Sequence, residues 1–305
     1  EREATLTLLL KLKQTEPALG FSHPDWLVAR WLQRYGPAKT NTLLDWNNRA
    51  PAVYARLNTL KADAATLKRY WEQEDVQFLP REWDWTGPDL AFELQSHRAL
   101  PRLRSFTEGF FYAQDPSTLL AIRELAPQLG DTILDLCAAP GGKTTFIAQL
   151  MRNKGSITAS DSQPDRLELI QENCKRLGVT CVTTGALPGS GPSAPVALYD
   201  RILIDAPCSN TGVLRRRIDL RWRIRLEEIE RLRATQASLL SSVANRLKSG
   251  GTLVYSTCSL EPEENGEVAR HFAEQNPAFR LERERQLLPF ETETDGAYVA
   301  VFKKA

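Results

Sequence analysis

From Gly109 onward the chain alternates short β-branched, apolar runs with longer stretches of helical spacing, and no other feature limits its fold as strongly. Strand-like runs fall at 132–137, 156–160, 179–183, 200–205, 251–256 and 297–302, and helix-like stretches at 116–125, 143–151, 164–177, 226–247 and 262–275. Alternation over this length requires a largely parallel sheet with helices on both faces. Residues 109–305 are therefore expected to form a doubly wound α/β domain. A Gly/Pro/Ser-rich stretch at 187–195 reads as a loop within it.

The upstream rhythm is different. Trp26, Leu27, Ala29, Trp31 and Leu32 recur at helical spacing over 24–34, Gly36-Pro37 stops that run, and 39–46 reads as another helix. Strand-like 53–60, a helix over 64–74, and short strands near 76–79 and 90–94 suggest a small α+β module. The expected division is a helical segment at 1–50, this module at 51–108 and the α/β domain at 109–305.

Composition removes several classes. With 305 residues, 39 Lys+Arg against 38 Asp+Glu and a net charge of +1, a basic surface must be local rather than global. No apolar run approaches the ~20 residues a membrane helix needs. The stretch from Leu6 to Leu10 is too short for a secretory signal. The five cysteines (Cys137, Cys174, Cys181, Cys208, Cys258) show no C-x-x-C pair, and only three histidines are present, so no metal site is expected. An odd cysteine count without a signal suggests free thiols in a reducing compartment, hence a cytoplasmic protein, expected to be monomeric. The chain starts at Glu1 rather than Met, from which a preceding domain is expected.

The first strand of the α/β domain runs into Cys137, Ala138, Ala139, Pro140, Gly141, Gly142 and Lys143, a small-residue turn opening a helix. Such a turn lets a ligand approach the backbone and points amides at it. A P-loop would need glycine where Cys137 stands, and no G-x-G-x-x-G fits, so neither a nucleoside triphosphate nor a dinucleotide is favoured. A nucleoside ligand without a phosphate clamp remains, with Asp161 at the end of the next strand as a ribose acceptor. The bland alternative is a tight strand–helix turn and a surface aspartate.

Asp205-Ala206-Pro207-Cys208 follows the fourth strand and Thr257-Cys258-Ser259 the fifth. Ligands of open α/β sheets bind beyond the carboxyl ends of the strands, and neighbouring strands lie about 4.8 Å apart, so both thiols can face one cleft. A lone cysteine at such a place is usually a small buried hydrophobe. Cys174 and Cys181 keep that reading.

Taken together, CAAPGGKT, the aspartate of SASDSQPDR, DAPCS, and TCS followed by LEPEEN resemble the motif series of the Sun/Fmu family of S-adenosylmethionine-dependent RNA cytosine-5 methyltransferases. HPDWL (23–27), NNRAP (47–51), RLNTLK (56–61) and the DGAYVAVFKK tail extend the resemblance over nearly the whole chain. It is nearest to the bacterial RsmB-type small-subunit rRNA enzymes, without their helical N-terminal domain. The resemblance implies a Rossmann-like class I methyltransferase domain, S-adenosyl-L-methionine as cofactor, and RNA, most of all 16S rRNA, as partner; tRNA is the nearest rival substrate. It implies that residues 137–143 wrap the cofactor, that Asp161 holds its ribose and that Arg166 assists. Cys258 matches the family nucleophile; Cys208 would assist release, Asp205 would hold the cytosine edge and Lys143 would orient Asp205. DNA cytosine-5 methyltransferases attack with the Pro-Cys thiol, here Cys208, so the choice of attacking sulfur is a real question. Two departures stand out. Ala186 occupies a position where the family usually has Asp, and Arg217-Ile218 replaces a His-Pro pair.

Six arginines lie between Arg215 and Arg225 with Trp222 among them, a pattern suited to phosphate contact and base stacking. Arg215, Arg216, Arg217, Arg221 and Trp222 are the expected RNA contacts, with Arg56 and Lys61 from the RLNTLK stretch. Glu227, Glu228 and Glu230 follow closely, so a solvated helix start is the competing reading. A non-catalytic RNA-binding or ribosome-assembly factor is the rival function; a nicotinamide oxidoreductase is remote.

Overall fold

The computed structural model describes residues 2–187 and 197–305; the loop expected at 187–195 lies, after Leu187, outside the described residues. The strands are β1 (Val53–Leu57), β2 (Gln77–Arg81), β3 (Ala91–Ser96), β4 (Phe111–Ala113), β5 (Thr132–Leu136), β6 (Ser156–Ser160), β7 (Val182–Gly185), β8 (Tyr199–Asp205), β9 (Leu247–Thr257), β10 (Phe279–Leu287) and β11 (Ala297–Lys304). β5 to β11 form one seven-stranded sheet in the order β10-β11-β9-β8-β5-β6-β7. β5 through β9 pair in parallel, whereas β11 runs antiparallel to β9 and β10 antiparallel to β11.

Side chains alternate between two covered faces, as strands buried on both sides must. Ile133, Ile157, Leu203, Val254 and Val299 pack on one face with Phe146, Ile147 and Ile170 of helices Gly142–Leu150 and Pro164–Leu177. Leu134, Ile202, Leu253, Tyr255 and Phe302 pack on the other with Leu240, Val268 and Phe272 of helices Leu226–Val243 and Gly266–Gln275. The doubly wound α/β domain is therefore present. β10 was not expected: FRLERERQL is mostly charged, and it forms an edge strand whose outward positions are solvated.

β1 to β4 form a separate antiparallel sheet, β2-β3-β1-β4, packed on helix Ala64–Gln73 around fully buried Trp71. Its fourth strand comes from beyond residue 108, because β4 pairs with β1. Upstream, helix Asp25–Asn48 is broken where Gly36 takes φ 75° and ψ 170°, so the two helices expected on either side of Gly36-Pro37 are there. Helix Arg2–Thr15 falls within the helical segment expected at 1–50, and Leu6, Leu8 and Leu10 on it are exposed.

The broken helix packs directly against the chain that follows Cys258. Glu261 is fully buried; it accepts from Trp31 Nε1 at 3.1 Å, Arg30 Nη2 at 3.0 Å and Arg34 Nη2 at 3.2 Å. Arg34 Nη1 also donates to the Leu260 carbonyl at 2.7 Å. Removing one member of such a buried charge cluster strands the others. We expect Glu261→Ala to lower unfolding free energy by about 3 kcal/mol in urea titration. A change within about 0.5 kcal/mol, the usual range for surface sites, would show that the cluster does not anchor the helix.

Candidate active site

The topology brings five strand ends to one edge. Leu136 of β5 is level with Ser160 of β6 and Ile204 of β8, and Asp205 is level with Ser256 of β9. β11 is antiparallel, so its N-terminal end, next to Asp295, reaches the same edge. Beyond that edge lies a cleft of about 830 Å³, lined by the loops after β5, β6, β8 and β9 and by residues on and around β4. That volume is at the upper end of small-molecule sites, enough for a nucleoside and a second group beside it.

The cofactor loop is shaped from both sides. Gly141 has φ 98°, a conformation costly for any residue with a Cβ. At Gly142 a Cβ would come 2.9 Å from the ring of Tyr112 on β4, so the residue is small to admit the neighbouring sheet. Asp161, buried at the end of β6, accepts from the Ala139 amide at 3.2 Å, and Arg166 Nη2 donates to the Ala139 carbonyl at 2.9 Å. Cys137, Ala138, Ala139, Pro140, Gly142, Lys143, Asp161 and Arg166 all line the cleft. The lining fits a nucleoside cofactor: a recessed carboxylate at a strand end with small side chains around it. Burial, with Asp205, Asp161 and Asp135 nearby, pushes the Cys137 thiol up to about 12, so it is an inert lining group. Ala186, just past β7, is exposed and does not line the cleft.

Next to this loop, Lys143 Nζ donates to Asp205 Oδ2 at 2.6 Å, and Ser256 Oγ donates to Asp205 Oδ1 at 2.9 Å. Burial alone would pull the lysine down, but the charge and hydrogen bond of Asp205 outweigh it and raise it, so the pair is ionic. Cys208 Sγ and Cys258 Sγ are 3.3 Å apart, and Cys258 Sγ donates to Asn210 Oδ1 at 3.1 Å. Asn210 Nδ2 donates to the Cys208 carbonyl at 2.6 Å, so one side chain touches both cysteine loops. The hydrogen bond to Cys258, burial, and the charges of Cys258 and Glu264 push the Cys208 thiol well up. Cys174 and Cys181 lie away from this cleft, and burial raises both thiols.

The arginines divide. Arg217 and Trp222 are exposed, with Arg217 lining the cleft. Arg216 is half-buried at its mouth, its guanidinium on Asp295 and Asp115. Arg215, Arg221 and Arg56, expected as RNA contacts, are instead inside the protein. Arg215 pairs with Asp295 at 2.7 Å and Asp115 at 3.2 Å and lies 4.0 Å over the Trp46 ring. Arg221 donates to Asn48 Oδ1 and to the Asn47 and Ser22 carbonyls. Arg56 donates to the Gly142 carbonyl at 2.8 Å and Thr145 Oγ1 at 3.1 Å and lies over Phe146, tying β1 to the cofactor loop. Charge counting misleads at Arg215 and Arg221 because their partners are remote in sequence; Arg56, on β1, follows the competing reading of the RLNTLK stretch, in which its strand residues build the core. Lys61 is exposed, its Nζ on the Glu108 carbonyl at 2.9 Å. Asn210, Ser256, Asp115, Asp295 and Glu264 were not singled out from sequence; DG at 295–296 and EE at 263–264 sat within noted motifs without a role attached.

Residues 122–303 match the family model described as 16S rRNA methyltransferase RsmB/F. The chain belongs to the RsmB/F (Sun/Fmu) family of S-adenosylmethionine-dependent RNA methyltransferases. Residues 23–87 match the RsmF/B-like ferredoxin-like domain of the same group. Among its relatives, a probable ribosomal RNA small subunit methyltransferase B of Synechocystis is 37% identical over 320 residues, covering 96% of this chain and 70% of that protein. One of the same description from Bacillus subtilis is 34% identical over 302 residues, covering 93% and 66%. The chain thus spans about two thirds of the length of these relatives. A methyltransferase homolog protein from Pyrococcus horikoshii has a crystal structure that superposes with TM-score 0.79 at 28% identity, covering 94% of this chain and 97% of that one. Among the described residues of this RsmB/F-family chain, no helix is long and apolar enough to cross a membrane and no group of His, Cys, Asp or Glu could hold a metal ion.

Under the cofactor loop, Asp135 on β5 is fully buried; Oδ2 accepts from Thr144 Oγ1 at 2.6 Å and Oδ1 has no partner among the described residues. Burial pushes its carboxyl up to about 7, with the Thr144 bond opposing. Below about pH 4 the group is protonated in folded and unfolded chains alike; between about pH 4 and 7 only the unfolded chain ionises, so folded stability falls as pH rises. Relative to wild type, Asp135→Asn is expected to gain about 3 kcal/mol between pH 4 and pH 7 in urea unfolding. A stability difference independent of pH over that range would contradict an uncharged Asp135.

Proposed function

We propose that the chain transfers a methyl group from S-adenosyl-L-methionine to C5 of a cytosine in RNA, small-subunit rRNA being the favoured substrate. The observation that carries this reading is the pair of thiols 3.3 Å apart beside an ionic Lys143–Asp205 pair, at the open end of the cofactor loop. S-Adenosyl-L-methionine supplies an electrophilic methyl group. Residues 137–143, Asp161 and Arg166 are assigned to hold it, because all of these but Gly141, which shapes the turn, line the cleft together with Asp205 and the two thiols.

C5 of cytosine is a poor nucleophile, and a thiolate added at C6 makes it enamine-like. Cys258 is assigned that attack. Its sulfur gives up the proton and bonds to C6, and the C5=C6 electrons become available at C5 as N3 is protonated. Asp205, held by Lys143 and Ser256, is placed to bond the cytosine edge where that charge develops. As the methyl group reaches C5, S-adenosylhomocysteine leaves; Cys208, as a thiolate at this step, is assigned to take the C5 proton, and those C–H electrons re-form C5=C6 as the C6–S bond breaks, N3 gives back its proton and the Cys258 sulfur departs. The match of Thr257-Cys258-Ser259 to the family motif supports Cys258 rather than Cys208 as the attacking sulfur. The reacting cytosine must be out of its stack to enter the cleft. Exposed Arg217 and Trp222 and half-buried Arg216 are the proposed contacts to the flanking strand, and Lys61 a more distant one.

The test mixes unmethylated small-subunit rRNA and S-adenosylmethionine with wild type, Cys208→Ala and Cys258→Ala, followed by a denaturing gel. Cys208→Ala is expected to accumulate a covalent protein–RNA band and Cys258→Ala to give none. The opposite pattern would assign the attack to Cys208. No band in any lane, with no methyl transfer by wild type, would favour a binding factor over an enzyme.

A further inference from the structure

Glu264 touches neither cysteine, yet it holds the residue after each. It lies at the end of the turn Pro262–Glu264, fully buried. Oε1 accepts from the Ser209 amide at 2.8 Å and from Gln236 Nε2 at 3.1 Å; Oε2 accepts from Ser209 Oγ and from Ser259 Oγ at 2.6 Å. Ser209 follows Cys208, and Ser259 follows Cys258. Four donors converge on one carboxylate, which only an ionised acid can accept in full. A glutamine there would offer one acceptor oxygen and place an NH₂ against the Ser209 and Ser259 hydroxyls, which would have to turn round and accept instead of donate.

The two loops are also tied to each other, by the Leu260 amide to Thr211 Oγ1 at 2.8 Å and the Gly212 amide to the Cys258 carbonyl at 2.9 Å. The Cys258 side has further ties of its own: Asn265 Nδ2 to the Ser259 carbonyl at 2.8 Å and the Glu261 amide to Ser259 Oγ at 3.0 Å. On the Cys208 side the last ladder bond of β8 is Ala206 N–H to the Ser256 carbonyl at 2.9 Å. Past it, Asn210 Nδ2 holds the Cys208 carbonyl at 2.6 Å, Gln236 Nε2 holds the Pro207 carbonyl at 2.9 Å and Glu264 holds the Ser209 amide, so the buried Gln236–Glu264 pair braces the residue on either side of Cys208. The Glu264 backbone is itself pinned, its carbonyl accepting from buried Tyr255 OH at 2.5 Å.

We propose that Glu264 is a positioning residue for the release step: through Ser209 it sets Cys208 against Cys258, so that a covalent Cys258–RNA intermediate resolves rather than persists. The inference rests on the two-thiol reaction proposed above. If Glu264 only held the fold, its loss would weaken cofactor binding, attack and release together. A positioning role predicts one step failing alone.

The experiment uses the full chain with unmethylated small-subunit rRNA and S-adenosylmethionine. Turnover, cofactor Kd and the covalent band are read for Glu264→Gln, Ser209→Ala and Ser259→Ala, with Cys208→Ala as reference. Glu264→Gln is expected to lose about 100-fold in turnover, the usual scale for an ångström of misplacement, while keeping cofactor Kd and accumulating the band seen with Cys208→Ala. Ser209→Ala is expected to do the same more weakly and Ser259→Ala to accumulate none; because Ser209→Ala deletes a single hydroxyl, it decides the matter if Glu264→Gln does not fold. A band with Cys208→Ala but none with Glu264→Gln or Ser209→Ala overturns this inference and leaves the two-thiol reaction standing. No band with Cys208→Ala removes the reaction and this inference with it.

Discussion

The parallel pairing of β8 and β9 is the constraint on which the site depends. Because Asp205 is opposite Ser256, the loops after the two strands leave the sheet at the same height. Neighbouring strands are about 4.8 Å apart, and the two sulfurs, on Cys208 three residues past Asp205 and on Cys258 two past Ser256, end 3.3 Å apart. A slip of one residue would turn every side chain of a strand to the opposite face, and with both faces of β8 and β9 buried in separate cores that slip is heavily penalised. The apolar core thus sets the spacing of the two thiols, and polar bonds from Asn210, Gln236 and Glu264 finish the loop geometry.

The smaller sheet is not an appendage to this arrangement. Arg56 on β1 reaches the Gly142 carbonyl, and the ring of Tyr112 on β4 leaves room at position 142 only for glycine. On the opposite side, Arg30, Trp31 and Arg34 bind Glu261, two residues past Ser259. The cofactor loop and the Cys258 loop are therefore each braced by chain from the N-terminal third. An active site meant to hold its groups within fractions of an ångström needs such external bracing, because loops alone cannot supply it.

Much of this was legible in the sequence where the signal was local. The α/β alternation set the sheet, CAAPGGK marked the strand–turn–helix, and DAPC and TCS fell at adjacent strand ends because the strand pattern around them was unbroken. What stayed hidden was pairing between remote positions. Arg215 looked like a phosphate ligand until Asp295 was found against it, and Arg221 until Asn47 and Asn48 were. Glu264 and Asn210 gave no signal, since a carboxylate among EPEEN or an amide after PCS is read as solvated unless its donors are known. β10 was missed for a related reason: an edge strand needs no apolar alternation, and its Arg/Glu run resembles a loop.

The most direct test of the proposed chemistry is to follow the hydrogen at C5 itself. Small-subunit rRNA prepared with tritium at C5 of its cytidines, incubated with the protein and S-adenosylmethionine, should release one tritium into water for each methyl group incorporated, and the product nucleoside should be 5-methylcytidine. Methyl incorporation without tritium release would place the methyl on another atom and contradict the assignment of the two thiols.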